Sequence, residues 1–447
     1  MRKRPTIEPP QTLTHRELDL IEQIREYKLI TPLYGGGVTP GEADPVTVVR
    51  ATEIRGHLRF WWRATRGGQF GHDPKAMKNK EDEIWGKAHT TEKKGATSEE
   101  QEKHESENTP FKQPVQIEVM LTHAGESKKS FSLERNTRGN LIPKGNGIPD
   151  YAAFPMRPPQ EDLRRKTQKQ LEEEIKSVRH HVQFTLKIIF SRTHSDDVQA
   201  ALWAWETFGG IGARTRRGFG ALRLLMVNSK KNDDLPPSNQ RADVRRWINE
   251  HLEKFVVAGA WPSDVPHLEQ KLFFELAYPA TNTFYPWRQL IAQYTNFRQS
   301  RTKGRTGRSN WPEAEAIREL TGRRHYTSLD HPQKFPRAAF GLPILFHFKD
   351  EDDPKDTTLQ GANKEHERLA SPLILRPLAC NGELAIGLAA ILKGSRIPPL
   401  MLKEVDKSVE ARLNKADVAR LSQLDNDKLK GETDVLRAFL YDLGGDR

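Results

Sequence analysis

The order of apolar segments in the N-terminal half is the feature that most restricts how this chain can fold. Segments in which apolar and polar residues alternate predict strands, and segments with an apolar residue every three to four positions predict helices. In chain order these are a strand at 25–35, a helix at 52–67, strands at 114–122 and 180–191, a helix at 195–208 and a strand at 220–227. Ser195 is a suitable N-cap for the second helix, and Gly209 ends it. This order predicts an antiparallel α+β domain of the ferredoxin-like (RRM-like) type.

The C-terminal half repeats this order more loosely. It predicts a strand at 270–279, a helix at 285–299, strands at 340–348, 371–379 and 383–392, and a helical tail from about residue 402. A length of 447 residues favours two or three domains. We therefore predict an α+β chain of two tandem ferredoxin-like domains, at 1–230 and 231–447, with charged insertions and a helical C-terminal tail.

Four segments are too polar to belong to the cores of these domains. Insertions are expected at about 75–110 and 135–178, and the first of them is so highly charged and poor in aliphatic residues that disorder is predicted. Within the second, residues 158–178 predict a charged surface helix. Residues 228–241 are expected to be an interdomain linker, and residues 349–368 a solvated loop.

The charge balance predicts a polyanionic partner. The 71 Lys and Arg residues exceed the 60 Asp and Glu residues, which gives a formal net charge of +11. Nucleic acid is the commonest partner of such a protein, and a membrane surface is the alternative. No run approaches the roughly 18 apolar residues of a membrane-spanning helix, and the first ten residues, MRKRPTIEPP, lack the apolar core of a signal peptide. Cys380 is the single cysteine, which excludes an intramolecular disulfide and a multi-cysteine zinc site. We expect a cytoplasmic protein that does not bind membranes.

The stretch FGGIGARTRRGFGALRLL, residues 208–225, contains five glycines and four arginines. It is not a nucleotide-binding loop, because its glycines follow a helix and precede a strand, and Thr215 stands where GxGxxG requires its third glycine. Glycines allow close approach of a ligand to the backbone, and guanidinium groups bind phosphate bidentately. We expect a phosphate-backbone clamp whose RNA-binding residues are Gly210, Gly212, Arg214, Thr215, Arg216, Arg217 and Gly218. The alternative is a C-capping glycine followed by a solvated turn.

Two further basic clusters are predicted to contact the same nucleic-acid strand as the glycine-rich stretch. In the first helix, an arc about 80° wide carries four arginines, and no acid lies between residues 54 and 72; these are Arg55, Arg59, Arg63 and Arg66. The second cluster has no acid between residues 297 and 312 and contains glycines that keep it flexible; its members are Arg298, Arg301, Lys303, Arg305 and Arg308. The alternative for each arginine is solvation or pairing with a distant carboxylate. The prediction is that these clusters and the glycine-rich stretch converge on one groove.

The sequence predicts neither an active site nor a metal site, and no cofactor is expected. His180 and His181 are expected to start a strand and therefore to point to opposite faces, which is unsuitable for binding one metal ion. His57 lies on the basic helix and His72 lies near its end, and either could act as a general base in RNA cleavage, although a lone histidine is more often structural or solvated.

Five segments together resemble the RAMP superfamily of CRISPR proteins, and within it the family of subunit one of the Cmr (type III-B) effector complex. They are TPLYGGG (31–37), IRGHLRFWWRA (54–64), FGGIGARTRRGFG (208–220), SNWPE (309–313) and FPRAAFGLPILF (335–346). The resemblance implies two ferredoxin-like domains. It also implies that the RAMP glycine-rich loop follows the second helix of a domain. It also implies a position at the head of the complex, beside another RAMP subunit, with contacts to the guide RNA toward its 3′ end and to the paired target RNA. Target cleavage in that family belongs to a different subunit.

Three hypotheses about function remain open at this point. The first is a noncatalytic RNA-binding subunit that contacts the RNA backbone, so that base pairing rather than protein reads the sequence. The second is a RAMP endoribonuclease that processes guide RNA precursors, with His57 as general base. The third is a scaffold whose basic surfaces meet acidic partner subunits. Metal-free cleavage of repeat RNA would support the second, and steeply salt-dependent binding of RNA would argue against the third.

Overall fold

The computed structural model describes residues 19–39, 41–87, 114–300, 309–323, 331–348, 351–423 and 428–445. Its strands are β1 (Leu20–Leu29), β2 (Gln116–His123), β3 (Glu126–Lys129), β4 (Phe131–Arg135), β5 (Leu141–Gly145), β6 (Ser177–His180), β7 (Gln183–Ser191), β8 (Leu222–Val227), β9 (Lys230–Lys231), β10 (Phe274–Ala280), β11 (Ile344–Phe346), β12 (Thr357–Gly361), β13 (Leu373–Ala379), β14 (Ala385–Ile391), β15 (Leu400–Leu402) and β16 (Lys407–Val409).

The α-helices of the same residues connect these strands. They are α1 (Ala51–Arg66), α2 (Pro74–Trp85), α3 (Gln160–Arg165), α4 (Gln168–Glu174), α5 (Ser195–Phe208), α6 (Arg241–Phe255), α7 (Phe284–Arg298), α8 (Glu313–Leu320), α9 (Lys415–Ser422) and α10 (Val435–Gly444). Short 3-10 helices are at Gly67–Phe70, Phe154–Met156, Arg192–His194, Thr215–Arg217, Pro336–Phe340 and Lys364–His366.

The first sheet is antiparallel and has the strand order β2–β7–β1–β8–β9. Along β7 every second residue is buried, because one face of the sheet is covered by α1 and α5, which also pack against each other. Phe184, Leu186 and Ile188 lie on this face and share a core with Leu58 of α1 and Leu202 of α5. The six elements predicted for the N-terminal half are therefore present, and their strands form one antiparallel sheet.

The second sheet is also antiparallel and has the order β10–β14–β13. α7 and α10 pack on β10, and α7 also contacts the other two strands. One cluster of buried residues runs from the first sheet into this one, since Leu276 and Leu388 belong to the same core as Tyr27 and Trp205. The predicted α+β class with antiparallel sheets is confirmed. The core crosses the predicted boundary at residue 230, and the division into domains stays a prediction.

A third sheet corrects two predictions for the C-terminal half. β11, which lies within the strand predicted at 340–348, pairs with β12 in a separate sheet of order β11–β12–β15–β16 rather than with β13 or β14. β12 itself lies in the segment 349–368 that was expected to be a solvated loop. Its residues alternate between buried and half-buried, with Leu359 inside a small core of its own. The predicted helical tail contains α9 and α10, but β16 precedes them.

The charged segments are more structured than their composition predicts. α2 occupies the beginning of the segment predicted to be disordered, and residues 88–113 lie outside the described residues. Asp73 caps α2 by accepting hydrogen bonds from the backbone N–H groups of Lys75 and Ala76, and Pro74 stands at the first helical position. The single helix predicted within 158–178 is two short helices, α3 and α4, because Lys166 has extended backbone and Thr167 begins a new capping box.

Among the described residues, no helix is long and apolar enough to cross a membrane. Cys380 is buried at the end of β13, and burial raises the pKa of its thiol to about 12.

Candidate nucleic-acid interface

The glycine loop, residues 209–220, joins α5 to β8 in a tightly wound conformation. Gly212, Gly218 and Gly220 have φ values of +82°, +84° and +59°, a region that disfavours every residue with a Cβ. A Cβ at Gly220 would lie 1.9 Å from the carbonyl oxygen of Ile211, which is far inside van der Waals contact. The glycines are therefore required by the path of the backbone itself, which is wound rather than mobile.

Backbone hydrogen bonds hold the glycine loop against the segment that follows β1 and against α1. The N–H of Ala213 donates to the carbonyl of Tyr34 at 2.6 Å, and the N–H of Gly220 donates to the carbonyl of Pro32 at 2.9 Å. The N–H of Gly212 donates to Glu53 Oε1 at 2.7 Å. Because these contacts come from different parts of the chain, the position of the loop is fixed by the fold around it.

The arginines of the glycine loop donate to carbonyl groups of distant segments, Arg214 within the N-terminal half and Arg216 and Arg217 in the second half of the chain. Arg214 Nε lies 2.6 Å from the carbonyl oxygen of Ala152, Arg216 Nη1 lies 2.5 Å from that of Ser371, and Arg217 Nη1 lies 2.8 Å from that of Leu373. Thr215 opens the short 3-10 helix between them, and its carbonyl accepts from the N–H of Gly218. None of the three guanidinium groups is paired with a carboxylate of the described residues.

Burial without a counter-charge leaves these cations poorly stabilised. Burial, together with the nearby charge of Arg217, lowers the pKa of Arg214 to about 10, and the same two causes lower the pKa of Arg216 to about 10. A pKa lowered in this way means that the charged form is disfavoured at the site. An anion placed nearby would therefore gain more from these guanidinium groups than from solvated ones.

Three predicted RNA-binding arginines meet in one cleft, which we call the arginine cleft. It has a volume of about 450 Å³ and contains the side chains of Arg214, Arg217, Arg298 and Arg337. Arg217 and Arg298 both donate to the hydroxyl of Tyr294, at 3.2 and 3.3 Å. Arg337 is the only one of the four with a carboxylate partner among the described residues, Glu313 at 3.1 Å. The cleft therefore carries excess positive charge.

Apolar side chains stand beside this charge. Phe154 and Leu345 line the arginine cleft, yet they remain 61% and 60% exposed to solvent, and Tyr151 lies deeper. Exposed rings next to guanidinium groups are the arrangement by which proteins bind single-stranded nucleic acid, with bases stacked on the rings and phosphates held by the cations. The cleft can thus bind a nucleotide through its base, which stacks on the exposed ring, and through its phosphate, which contacts the guanidinium groups.

The four arginines of α1 do not form the free cationic edge that the sequence predicts. Arg59 pairs with Glu81 at 2.6 Å and with Asp82 at 2.8 Å, and Arg63 pairs with the same Glu81 at 2.6 Å. Both acids belong to α2. The prediction failed because the search for neutralising acids ended at residue 72, and because the residues that carry them were expected to be disordered.

The remaining two arginines of α1 are also engaged within the fold. Arg55 donates to the carbonyl groups of Trp85 and Val115, at 2.7 and 3.0 Å. Arg66 lies 3.3 Å from Asp197 of α5. These contacts hold α2 and the start of β2 against α1, which is a structural role. A role in RNA binding for Arg55, Arg59, Arg63 and Arg66 stays an untested prediction.

The glycine loop and the α1 arginines lie on different sides of α1. Glu53 contacts the loop through its carboxylate, and Phe60 lies 5.7 Å from the guanidinium of Arg216. At 100° per residue the four arginines are centred about 115° around the helix from these two residues. The expectation that all three basic clusters converge on one groove is therefore wrong for α1, whereas the glycine loop and Arg298 do meet.

The rest of the third basic cluster, Arg301, Lys303, Arg305 and Arg308, lies outside the described residues, and its role stays a prediction. Both ends of this segment are held together, since the N–H of Asn310 donates to the carbonyl of Ser300 at 2.9 Å. Gln299, next to Ser300, lines the arginine cleft. The segment thus leaves and re-enters the described structure beside the cleft.

The sequence did not single out Arg337, Tyr151 or Phe154. Arg337 stands in FPRAAFGLPILF, which was used only for the family resemblance, and the two aromatic residues lie in an expected insertion. The sequence did contain one signal for Arg337 as a candidate RNA-binding residue, because no acid lies close to it along the chain. Its partner Glu313 is distant in sequence.

The histidines form no metal site with other residues of the described chain. His180 ends β6 rather than starting a strand, and His181 follows it with φ of +60°, so the expected placement on opposite faces of one strand is wrong. Their rings lie 6.1 Å apart. Within the described ranges, no group of three or more His, Cys, Asp or Glu side chains could hold a metal ion.

Comparison with known proteins identifies relatives of this chain. Residues 26–223 match the family model of the RAMP superfamily. The chain is 24% identical over 213 residues to the CRISPR system Cmr subunit Cmr1-2 of Pyrococcus furiosus, an alignment that covers 46% of this chain and 97% of that protein. It is 25% identical over 188 residues to Cmr subunit Cmr1-1 of the same organism, which covers 42% of this chain and 44% of that protein.

Solved structures show a distant similarity as well. The crystal structure of Cmr1 from Pyrococcus furiosus in its apo form aligns at 18% identity with a TM-score of 0.46, covering 86% of this chain and 94% of that one. A chain of the cryo-EM structure of the Type III-B Cmr-beta bound to cognate target RNA aligns at 14% identity with a TM-score of 0.49, covering 95% of this chain and 100% of that one.

Proposed function

Residues 26–223 belong to the RAMP superfamily, and from this premise we propose that the chain is a noncatalytic RNA-binding subunit of a type III-B CRISPR effector complex. Its partners are the guide RNA, the target RNA and the other RAMP subunits of the complex, at whose head it sits. It serves antiviral defence in the cytoplasm. The names of its relatives as Cmr subunits support the assignment to the complex, and the arginine cleft supports the RNA-binding role.

The same proposal includes the tandem ferredoxin-like arrangement. The four long strands of the first sheet follow the chain in the order β1, β2, β7, β8. In the sheet they lie in the order β2–β7–β1–β8, that is, second, third, first, fourth, which is the ferredoxin-like order. In the second sheet the strands lie in the order β10–β14–β13, that is, first, third and second along the chain. α7 follows the first of these strands, β10, and α10 follows the third, β14. We infer that it is a ferredoxin-like unit without a fourth strand.

The observation that carries the RNA-binding role is the convergence of Arg214, Arg217 and Arg298 in one cleft. Guanidinium groups of separate segments are held there by the carbonyl groups of Ala152 and Leu373 and by the hydroxyl of Tyr294, so their donors are fixed before a ligand arrives. Contacts of this kind bind phosphates and position a strand without reading its sequence. That suits an assembly in which base pairing with the guide selects the target.

The test measures binding of a mixed-sequence single-stranded RNA to the purified chain by fluorescence anisotropy over a series of salt concentrations. The double variant R214A/R298A removes two cleft arginines, F154A removes the exposed ring, and R165A removes an exposed arginine of α3, 76% exposed, as the matched control. Melting temperatures are measured for all of them, so that loss of folding is separated from loss of binding.

R214A/R298A is expected to bind at least tenfold more weakly and to reduce the slope of log K against log salt by about 0.7 for each lost phosphate contact. F154A is expected to lose about fivefold or more, as for one stacked base. R165A is expected to bind like the wild type. Equal affinities for folded R214A/R298A, F154A and the wild type would refute the role of the cleft, and metal-free cleavage of the RNA by the wild type would refute a noncatalytic subunit.

A further inference from the structure

A second cavity lies on the other side of the glycine loop from the arginine cleft. It has a volume of about 400 Å³, and we call it the Glu53 pocket. Its lining consists of Gly36, Arg50, Thr52, Glu53, Gly56, His57, Gly212 and Ala213. Ala213 lines this pocket and the next residue, Arg214, lines the cleft, so consecutive residues of the glycine loop contribute to the two cavities.

Three buried polar atoms around this pocket have no hydrogen-bond partner among the described residues. They are Glu53 Oε2, His57 Nδ1 and Arg50 Nε. A buried polar atom that makes no hydrogen bond destabilises the fold, and native proteins rarely leave several in one place. Because the three come from one helix and the residue that precedes it, they form a set of ligand-binding groups that the fold itself does not use.

Glycines keep the walls of the pocket open around these atoms. Gly56 lies in the interior of α1, where glycine is less favourable than alanine. No atom lies within 4 Å of the position of a Cβ there. On the opposite wall, a Cβ at Gly36 would lie 2.9 Å from both carboxylate oxygens of Glu53. Packing therefore does not require a glycine at residue 56, and the open space beside it leaves room for a ligand in the pocket.

The chemistry of the three atoms selects a small neutral group that both donates and accepts. A carboxylate oxygen accepts, an imidazole nitrogen accepts when it carries no proton, and a guanidinium N–H donates. A phosphate would be repelled by Glu53, so this pocket differs in kind from the arginine cleft. The 2′-hydroxyl of ribose has the required donor and acceptor, and it is the group by which proteins distinguish RNA from DNA.

We propose that the Glu53 pocket binds the 2′-hydroxyl of one ribose of the RNA strand whose phosphates occupy the arginine cleft. The hydroxyl donates to Glu53 Oε2 or His57 Nδ1 and accepts from the N–H of Arg50. This proposal rests on the proposed function, because the cleft supplies most of the affinity and the pocket supplies the preference for RNA. The shared loop backbone makes simultaneous occupation of both sites by adjacent parts of one nucleotide strand feasible.

His57 is in the protonation state that this role needs, and Glu53 is a carboxylate in about half of the molecules at neutral pH. Burial raises the pKa of Glu53 to about 7, although the N–H of Gly212 and the charge of Arg50 oppose the shift. Burial lowers the pKa of His57 to about 4, so its imidazole is neutral at neutral pH and one of its nitrogens is free to accept.

The test compares the affinity of the full chain for one oligonucleotide sequence made as RNA, as 2′-deoxy DNA and as 2′-fluoro RNA. The 2′-fluoro strand keeps an RNA-like sugar but cannot donate a hydrogen bond, so it separates the hydroxyl from the shape of the strand. The variants are G56L, whose added side chain projects from an exposed position of α1 into the pocket, E53Q, and the cleft variant R214A/R298A. RNA length is checked on gels after each measurement.

The wild type is expected to prefer RNA over both analogues by at least tenfold. G56L and E53Q are expected to reduce this preference to less than threefold while retaining the affinity for DNA, and R214A/R298A is expected to weaken all three strands and keep the preference. Equal binding of RNA and its analogues by the wild type, or an undiminished preference in folded G56L, would refute this proposal and leave the proposed function standing. Absence of RNA binding altogether would refute the proposed function instead, and RNA cleavage lost in H57N would assign the pocket to catalysis and overturn a binding role.

Discussion

Arg376 Nη1 lies 2.5 Å from the carbonyl oxygen of Gly209, and this hydrogen bond joins β13 of the second sheet to the first residue of the glycine loop. The same guanidinium donates through Nη2 to the carbonyl of Leu222 at 3.3 Å and through Nε to the carbonyl of Pro377 at 3.1 Å. Arg376 is completely buried, and burial lowers its pKa to about 9. Among the described residues, all hydrogen-bond partners of Arg376 are carbonyl groups, and the nearby charge of Glu206 opposes the fall in its pKa. We infer that Arg376 connects the two sheets at the loop.

Replacement of Arg376 tests this fastening. R376M keeps most of the side-chain volume but removes the donors, leaving the carbonyl groups of Gly209 and Leu222 buried and unsatisfied. We expect a loss of about 2–4 kcal/mol in the free energy of unfolding, because each unsatisfied buried acceptor costs about 1–3 kcal/mol. Urea unfolding measures it. R223M, which changes a less buried arginine of the neighbouring strand β8, is the control and is expected to cost less; equal losses would contradict the role given to Arg376.

Arg59 of α1 is expected to be a stability residue. R59A removes the partner of Glu81 and Asp82, and Glu81 is almost completely buried. Partly buried pairs of this kind lose about 2–3 kcal/mol when one partner is deleted. RNA affinity, measured by anisotropy, should remain within about twofold of the wild type since Arg59 lies on the side of α1 away from the glycine loop. A large loss of RNA affinity in folded R59A would contradict this role and support the RNA-binding edge of α1 that the sequence predicts.

A double-mutant cycle distinguishes this pairing from a general effect of charge. R59A and E81Q are expected to cost less together than the sum of their separate effects, because they remove the same interaction. Additive losses would show that the two residues act independently.

Gly212 cannot accept a side chain without rearrangement of the glycine loop. Its φ is +82°, and a Cβ there would lie 2.4 Å from the carbonyl oxygen of Tyr34. G212V is expected to lower the free energy of unfolding by at least about 2 kcal/mol, since strained backbone alone costs about 1–3 kcal/mol. Urea unfolding is the measurement, and Gly71 provides the control: it also has positive φ, but no atom lies near its Cβ position. G71V should cost less, and the reverse order would contradict the close approach.

The two titratable groups of the Glu53 pocket should give stability profiles of opposite sign. The pKa of Glu53 is raised from 4.5 to about 7, so between these pH values the folded chain holds more protons and its stability falls as pH rises. The pKa of His57 is lowered from 6.5 to about 4, so between these values the unfolded chain holds more protons and stability rises with pH.

Single variants separate these two contributions. In E53Q only the histidine effect remains, and the urea midpoint should rise between pH 4 and pH 6.5 relative to the wild type. In H57N only the carboxyl effect remains, and the midpoint should fall between pH 4.5 and pH 7 relative to the wild type. Profiles of the same sign in both variants would contradict the assignment of the two pKa shifts.

The order of elements in the N-terminal half was predictable because alternation and helical spacing are local properties. The paired strands β1, β7 and β8 follow from them, and only the ends of the elements shifted by a few residues. α2 and β12 were missed because charged composition was taken to mean loops. Asp73 and Pro74 carried the start signal for α2 in the sequence, but no local pattern shows that α2 packs on α1 through Arg59.

The candidate site was predictable in part for the same reason. Clustered arginines without nearby acids identified Arg214, Arg217 and Arg298, which the fold brings into one cleft. The identical argument failed for α1 because its acids arrive from other elements, Glu81 from α2 and Asp197 from α5. Neither Arg337 nor the unpartnered atoms of the Glu53 pocket could be found from sequence spacing, since both depend on which residues surround them in space.

The attachment of the glycine loop to both sheets limits how the loop can respond to a nucleic-acid strand that crosses it. Arg216 and Arg376 tie the loop to the segment around β13, while Gly212 and Gly220 tie it to α1 and to the end of β1. The loop therefore has one fixed position relative to both sheets. In the proposed complex, an RNA strand that crosses the loop would meet a surface that is already formed before binding.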